Sequence, residues 1–247
     1  MTRNLTECTQ ANPEAQDMAA YCTGVIVASG TARRMNGIDK IMANLAGKPV
    51  LLWTLQAFEA NTSIQEIVVV TRQDLIESVK MLCQENNLYK VKKIVPGGNT
   101  RTDSVLEGLR SVSQDTKFVA IQDGARPLVT DDIITTTIQK AIKTGAAAPA
   151  IAVKDTIKVA RNQVIVQTPD RQQLFAVQTP QVFELSLIRE ALREALQRKI
   201  PLTDDCSAVE ALGKEVYLVT GSERNMKITT PMDLILAERL LEGDAIT

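Results

Sequence analysis

Short apolar runs recur along the chain, separated by longer stretches whose apolar and polar positions follow a helical period. Within the runs the apolar residues are nearly continuous, which indicates strands buried on both faces. A parallel sheet covered by helices produces this pattern, because its strands lie between two layers. The predicted strands are residues 23–28, 66–71, 91–95, 118–122, 147–153 and 216–220.

The stretches between the runs predict helices, several of them with recognisable starts. Thr100 and Asp103 have the spacing of a capping box, and so do Thr230 and Asp233, with Pro231 at the first helical position between them. The predicted helices are residues 50–60, 75–84, 102–110, 131–143, 185–197 and 204–212, with a last helix that begins after Thr230.

One segment departs from this alternation. Residues 156–159 and 164–167 are short alternating runs on either side of Arg161-Asn162-Gln163, which predicts a β-hairpin. No predicted helix covers its apolar positions, so we expect the hairpin to project and to pack on a second subunit.

These elements predict an α/β fold: a single Rossmann-like domain with a mostly parallel twisted sheet, helices on both faces and a projecting β-hairpin arm. The polar first residues, 1–22, are expected to be a disordered tail. Residues 23–247 are predicted to be one catalytic domain, with the arm at about 154–176.

Composition excludes several kinds of chemistry. The 247 residues contain no histidine, which excludes a histidine-assisted zinc site and any Ser-His or Cys-His nucleophile. The net charge of −1 indicates neither nucleic acid nor an anionic membrane as partner, so an anionic ligand requires locally clustered cations. With four cysteines in no metal-binding or disulfide pattern, no signal peptide and no apolar span, a cytoplasmic protein with reduced thiols is expected.

Three loops that follow predicted strands carry the candidate chemistry, because ligands of open parallel sheets bind beyond the strands' carboxyl ends. The first runs from Ala28 through Gly30 and Arg34 to Lys40, and small residues there let backbone N–H groups approach an anion. The second contains Gly97-Gly98-Asn99, and the third begins at Asp123. Taken alone, each has a simpler interpretation: a turn with solvated cations, a plain glycine turn, or an Asp123–Arg126 ion pair.

Together the loops and several downstream pieces resemble the 2-C-methyl-D-erythritol 4-phosphate cytidylyltransferase family, from about Thr23 to Leu241. Seven ordered pieces carry the likeness, where any single piece is a weak signal. They are Gly30-x-x-x-Arg34-Met35 with Lys40, Gly97-Gly98-x-x-Arg101-x-Asp103-Ser104-Val105, Asp123-Gly124-Ala125-Arg126-Pro127, Asp155-Thr156, Gln178-Thr179-Pro180-Gln181, Thr203-Asp204-Asp205 and Asn225-Met226-Lys227-Ile228-Thr229.

The resemblance implies a reaction of CTP with 2-C-methyl-D-erythritol 4-phosphate that yields 4-diphosphocytidyl-2-C-methyl-D-erythritol and pyrophosphate, in non-mevalonate isoprenoid biosynthesis. It also implies Mg²⁺ bound mainly through the CTP phosphates, with no metal ligands from the protein, and a homodimer formed through the arm. The implied catalytic cations are Arg34, Lys40 and Lys227. The implied nucleotide site comprises Ala28, Ser29, Gly30, Gly98, Asn99, Ser104 and Gly124, and the implied acceptor site comprises Asp123, Arg126, Thr156, Arg171 and Thr179.

The chain departs from the family's usual pattern at three places near the first loop. Val27-Ala28-Ser29-Gly30 stands where Pro-Ala-Ala-Gly is frequent. Ala32 stands where glycine is usual, and Asp39 stands where proline usually precedes the lysine, so that a negative charge adjoins Lys40. These departures leave open a nucleotide-binding module without catalysis. Ribitol-5-phosphate cytidylyltransferase is the alternative that shares the nucleotide loops. A nicotinamide-dependent oxidoreductase is disfavoured, since Gly30-Thr31-Ala32 lacks the dinucleotide-binding glycine spacing.

Overall fold

The computed structural model describes residues 21–30 and 39–244. These residues form a central sheet, two small hairpins and helices in two layers. The strands are β1 (Cys22–Ala28), β2 (Asn44–Leu45), β3 (Lys48–Pro49), β4 (Glu66–Thr71), β5 (Val91–Pro96), β6 (Phe118–Asp123), β7 (Ala146–Ala152), β8 (Val159–Arg161), β9 (Val164–Gln167), β10 (Phe175–Val177), β11 (Gln181–Glu184) and β12 (Tyr217–Thr220). The α-helices are α1 (Val50–Ala60), α2 (Ile76–Glu85), α3 (Arg101–Ser111), α4 (Asp131–Thr144), α5 (Leu185–Gln197), α6 (Asp205–Ala211) and α7 (Pro231–Asp244).

The central sheet has the order β10-β7-β11-β6-β1-β4-β5, with β12 paired to β7. The strands β6, β1, β4 and β5 are parallel, whereas β11 lies antiparallel between β6 and β7. The chain proceeds from β1 to β4 on one side and to β6 on the other, so the strand order reverses at β1. Such a switch point opens a crevice at the carboxyl ends of the strands.

Successive side chains of the parallel strands enter opposite layers of core. In β4, Ile67 and Val69 pack with α1, α2 and α4, whereas Val68 and Val70 pack with α3 and α5. The period of two is the geometry of a strand, and both of its faces are buried here. The predicted α/β class with helices on both faces is thereby confirmed.

Most predicted elements are present within one or two residues of their predicted ends, and the capping boxes at Thr100 and Thr230 are formed. The sequence analysis did not predict β2, β3, β10 and β11, which are two to four residues long. Runs this short contain too few residues for a period of apolar positions to be recognised. The strand β1 begins at Cys22, the last residue of the predicted tail, and the rest of that tail up to residue 20 lies outside the described residues.

The predicted hairpin exists as β8 and β9, but its first strand was placed wrongly at residues 156–159. Asn162 and Gln163 both have positive φ, 50° and 66°, which is the geometry of a two-residue hairpin turn. Arg161 therefore pairs with Val164 and belongs to the strand, and Thr156 lies before it. Residues 154–168 are nearly all exposed, as expected for a projecting arm.

The described cysteines, Cys22, Cys83 and Cys206, are free and buried. Burial raises the pKa of the Cys22 thiol to about 12 and that of Cys83 to about 11. Thiolate is scarce at such values, so these side chains act as packing groups.

Candidate active site

Three strand-end loops meet at one cleft of about 490 Å³. The strand register explains their meeting, because Ala28 pairs with Thr71, Thr71 with Pro96, and Val27 with Asp123. The ends of β1, β4, β5 and β6 are therefore level. Of the predicted site residues, the cleft is lined by Ala28, Ser29, Gly30, Lys40, Gly98, Asn99, Asp123 and Lys227.

A larger groove, about 720 Å³, lies between α2 and β5. Its lining includes Lys80, Tyr89 and Lys92 but no residue of the strand-end loops. The convergence of glycine backbone, cations and a buried carboxylate makes the smaller cleft the candidate active site.

The first two loops are joined through the hydroxyl of Ser104. This oxygen accepts hydrogen bonds from Ser29 Oγ at 2.7 Å and from the Gly98 backbone N–H at 3.2 Å, and it donates to the Thr100 carbonyl at 2.9 Å. One donor and two acceptor positions use the full capacity of a hydroxyl. Ser104 is buried, so the contact is sheltered from water and fixes the floor of the cleft.

Asp123 lies at the centre of a group of cations. Its Oδ2 is 2.8 Å from Lys227 Nζ, and its Oδ1 is 3.4 Å from Arg101 Nε. Arg126 Nε is 3.7 Å from Oδ2, beyond hydrogen-bond distance. The predicted ion pair with Arg126 therefore exists, but it is the longest of the three. Asp123 is thus not simply the partner of Arg126. Burial acts to raise the pKa of Asp123, but Lys227 and Arg101 outweigh it and hold the pKa below its ordinary value.

Lys227 is held over Asp123 by a segment far along the chain. The Ile228 backbone N–H donates to the Ala125 carbonyl at 2.8 Å, and Arg126 Nη1 donates to the Asn225 carbonyl at 2.6 Å. The Asn225 side chain in turn donates to the Thr179 carbonyl at 2.9 Å. These contacts attach the segment before α7 to the end of β6.

Arg101 and Asp205 form a second layer behind Asp123. Arg101 Nη2 lies 2.8 Å from Asp205 Oδ2, and the Asp205 side chain is 2% exposed. Burial raises the pKa of Asp205, against the opposing attraction of Arg101. The sequence analysis assigned no site role to either residue, although both stand in the motif pieces. Their position within those pieces was the available signal.

The second loop runs directly into α3. Thr100 Oγ1 accepts from the Asp103 backbone N–H at 3.1 Å, and Asp103 Oδ2 accepts from the Thr100 N–H at 3.0 Å. The box fixes the direction in which Asn99 and Arg101 leave the loop. Both residues line the cleft as a result.

Other predicted residues lie behind the lining. Gly124 is buried, and a Cβ there would be 3.0 Å from that of Ala28, so glycine permits the close approach of β6 and β1. Thr179 is also buried and accepts a hydrogen bond from the Asp123 backbone N–H at 3.1 Å. The roles predicted for Gly124, Ser104 and Thr179 stay predictions.

Thr156 and Arg171 do not line the cleft of their own chain. Both are exposed within the arm, where Arg171 Nη1 donates to the Lys154 carbonyl at 2.8 Å. Arg34, together with Ala32, lies outside the described residues.

Comparison with known proteins gives consistent matches over nearly the whole described chain. The model of the 2-C-methyl-D-erythritol 4-phosphate cytidylyltransferase family matches residues 22–243. A protein of that name from Caldanaerobacter subterraneus subsp. tengcongensis is 48% identical over 226 residues, covering 89% of this chain and 98% of the relative. One from Clostridium botulinum is 46% identical over 220 residues, covering 88% and 96%.

Solved structures agree with the sequence matches. The 4-diphosphocytidyl-2C-methyl-D-erythritol synthase from Anaerococcus prevotii superposes with a TM-score of 0.82 at 29% identity, covering 91% of this chain and 97% of that one. The 2-C-methyl-D-erythritol 4-phosphate cytidylyltransferase from Thermus thermophilus gives 0.74 at 31% identity, covering 88% and 98%. The strand-end cleft, the seven motif pieces and these matches have one explanation: the chain belongs to the 2-C-methyl-D-erythritol 4-phosphate cytidylyltransferase family.

Proposed function

We propose that this chain transfers the cytidylyl group of CTP to 2-C-methyl-D-erythritol 4-phosphate, giving 4-diphosphocytidyl-2-C-methyl-D-erythritol and pyrophosphate. The observation that carries the proposal is the convergence of Gly30, Gly98, Asp123, Lys40 and Lys227 on one cleft. Family membership supplies the identity of the two substrates.

The chemistry requires positioning and charge stabilisation more than proton transfer. An oxygen of the acceptor's phosphate attacks the α-phosphorus of CTP and forms a new P–O bond. The bond from that phosphorus to the bridging oxygen breaks, and pyrophosphate leaves with the electron pair. The attacking oxygen is already anionic near neutral pH, so no general base is needed, in keeping with a chain that has no histidine.

The cations of the cleft would stabilise the charge that grows on the α-phosphate and on the leaving group. Lys40 Nζ lies 3.8 Å from the position a Cβ would take on Gly30, so its ammonium group overhangs the first loop. Lys227 lines the same cleft at the end of β6, where Asp123 holds its ammonium group. Arg34 completes the proposed set of catalytic cations.

CTP would lie along the strand ends, with its phosphates against the backbone of Ala28, Ser29 and Gly30. Its base would meet the backbone edge at Gly98 and Asn99. Ser104 and Gly124 would serve the nucleotide by holding these loops together from behind. The acceptor would bind on the Asp123 side, with Arg126 and Thr179 beneath it.

Mg²⁺ would be carried mainly by the phosphates of CTP. Among the described residues lining the cleft, Asp123 has the only carboxylate, and both of its oxygens face cations. The described residues hold no cluster of three or more metal-binding side chains. A cleft with so few carboxylate ligands suits Mg²⁺ that is coordinated mainly by water and by phosphate oxygens. The ion would neutralise part of the phosphate charge.

The arm supports a homodimer in which each subunit completes its neighbour's site. Its apolar residues Val164, Ile165 and Val166 are 65%, 59% and 52% exposed, which a partner surface would cover. Thr156 and Arg171 belong to the same arm and do not line their own cleft. In the dimer they would reach the acceptor phosphate of the neighbouring subunit.

A cytoplasmic location is part of the proposal. No helix among residues 21–30 and 39–244 has the length and apolar character to cross a bilayer.

The direct test mixes the purified protein with CTP, Mg²⁺ and 2-C-methyl-D-erythritol 4-phosphate and follows both pyrophosphate release and the mass of the product. Ribitol 5-phosphate serves as the matched acceptor control. Product from the methylerythritol phosphate alone supports the proposal. Turnover of ribitol 5-phosphate alone, or CTP binding with no pyrophosphate, would overturn it.

Mixing two inactive variants tests the shared site. Lys227→Ala removes a cation of the cleft, and Arg171→Ala removes a cation of the arm. In a mixed dimer, the subunit with an intact cleft receives the intact arm of the other, so one of the two sites is complete. Random exchange should then restore about a quarter of wild-type activity. If activity does not recover after verified subunit exchange, Arg171 acts in the site of its own subunit and the shared site is refuted.

A further inference from the structure

Arg72 is a cation of the cleft to which the sequence analysis gave no role. It follows the end of β4 and lines the cleft together with Gln73. Its Nη2 lies 2.6 Å from Asp39 Oδ2, and the two side chains are 25% and 23% exposed. The departure at position 39 is therefore paired with a residue that the known motif pieces do not include.

Asp39 has a second contact on the other side of Lys40. Its Oδ1 accepts a hydrogen bond from the Ile41 backbone N–H at 3.0 Å. Ile41 is buried in the core, and its carbonyl accepts from the Leu51 N–H at 3.0 Å. Both residues that flank Lys40 are thus attached to the body of the domain, one through Arg72 and the other through the core.

The guanidinium group of Arg72 is itself fixed. Its Nε and Nη2 bind the two oxygens of Asp74, each at 3.0 Å. Asp74 is largely exposed and is not among the residues that line the cleft. A bidentate contact of this kind sets the plane of the guanidinium group. Nη2 also forms the close ion pair with Asp39 Oδ2, although its geometry is not that of a hydrogen bond.

We propose that Arg72 is a positioning residue which, through Asp39, holds Lys40 in place against the phosphates of CTP. The inference rests on the proposed function. The Arg72–Asp39 pair also offsets the negative charge that Asp39 places beside Lys40, because the guanidinium group of Arg72 partly neutralises that carboxylate. Lys40 therefore keeps its attraction for phosphate despite its acidic neighbour.

Kinetics of single variants give the first test. A small displacement of a catalytic group lowers the rate steeply, so Arg72→Ala and Asp39→Asn should each lower kcat by about tenfold. Arg72→Lys should recover most of this loss, since one nitrogen suffices for Asp39. Glu77→Gln is the control, because it neutralises an exposed carboxylate of α2 that pairs with Lys80 and does not line the cleft, and its kcat should stay within about twofold of wild type.

A double-mutant cycle with Lys40→Ala distinguishes positioning from direct phosphate binding. If Arg72 acts through Lys40, adding Arg72→Ala to Lys40→Ala should change kcat by less than about twofold. If Arg72 binds phosphate itself, the two losses multiply, and that outcome would overturn the proposal. Equal kcat for Arg72→Ala and wild type would overturn it as well.

Two further measurements separate this inference from the proposed function and from misfolding. An inactive wild-type enzyme would refute the proposed function, whereas an active one with multiplying losses would refute only the role of Arg72. The melting temperature of each variant should stay within about 4 °C of wild type. Calorimetric titration with CTP should show weaker binding for Arg72→Ala than for Glu77→Gln, and equal binding would count against the proposal.

Discussion

At the scale of single residues, Asp123 organises the cleft. One carboxylate faces Lys227, Arg101 and Arg126, and a second buried carboxylate, Asp205, balances Arg101 from behind. Backbone contacts of Asn225 and Ile228 help to hold these charges in place. Preorganised charge of this kind costs little reorganisation when the reaction occurs, which is its value for phosphoryl-type transfer.

We expect Lys227→Ala to lower turnover by about 10²–10³ while the protein stays folded, because the variant removes one stabilising cation. Steady-state pyrophosphate release and a thermal melt measure the two effects. The exposed Lys214, beyond α6, provides the control, and Lys214→Ala should behave as wild type. Near-normal turnover of Lys227→Ala would remove this lysine from the catalytic set.

The cleft has no room for a side chain at Gly97. A Cβ at this position would lie 2.5 Å from Ser29 Cβ and 2.7 Å from Ser104 Oγ. Gly97→Ala should therefore push the first two loops apart, weaken CTP binding by about tenfold and destabilise the fold by about 1–3 kcal/mol.

Calorimetric CTP titration and urea unfolding would measure both effects of Gly97→Ala. Gly243→Ala is the control, since a Cβ there meets open space near the end of α7. Unchanged CTP affinity in Gly97→Ala would show that the two loops move independently.

At the scale of elements, α7 anchors the segment that carries Lys227. Asp233 Oδ2 accepts hydrogen bonds from the N–H groups of Thr229 and Thr230, each at 2.8 Å, and from Thr229 Oγ1. Slight burial acts to raise the pKa of Asp233, but the Thr229 and Thr230 donors outweigh it and hold the pKa below its ordinary value.

Asp233→Ala should lower the free energy of unfolding by about 1 kcal/mol near neutral pH, as loss of a helix cap does. Because the folded-state pKa is lowered, this stabilisation is present above the ordinary carboxyl pKa and is lost as pH falls through the lowered value. The difference between wild type and variant should therefore shrink on acidification.

Urea unfolding at several pH values would measure this difference for Asp233→Ala. Glu238→Ala, an exposed acidic position on the same helix, should show no comparable loss. A gap between wild type and Asp233→Ala that widens in acid would contradict the assignment.

At the scale of the whole molecule, the arm carries apolar side chains that its own chain leaves exposed. The core of the domain is packed on both faces of the sheet, whereas the arm exposes valine and isoleucine side chains. Surfaces of this kind in a soluble protein usually contact a partner.

Val166→Asp should convert the proposed dimer to monomers, because a buried unpaired carboxylate is costly at an apolar interface. Sedimentation velocity would show the change in mass. The monomer should keep its affinity for CTP and lose acceptor turnover. Met81→Asp, on the exposed face of α2, controls for surface charge. Monomeric wild-type protein, or a fully active monomeric variant, would contradict the shared site.

The sequence by itself determined the layered α/β architecture, most helices and strands, and the three loops at the strand ends. Each of these follows from local information: the period of apolar residues, the spacing of caps such as Thr100 with Asp103, and short motifs beside strands. Even the turn of the arm was signalled locally by Asn162 and its neighbours. Only the bounds of its first strand were wrong. Asn162 and Gln163, both with positive φ, form the whole turn, so Arg161 belongs to the strand.

Only the tertiary structure decided which charges meet. Arg101 and Asp205 are 104 positions apart, as are Asp123 and Lys227. The contact between Arg72 and Asp39 likewise depends on how β4 ends beside the first loop. The position of β11, which lies antiparallel between β6 and β7, also depends on the tertiary structure. Local patterns state what each segment can form, but ion pairs and strand neighbours depend on how distant segments pack once the core closes.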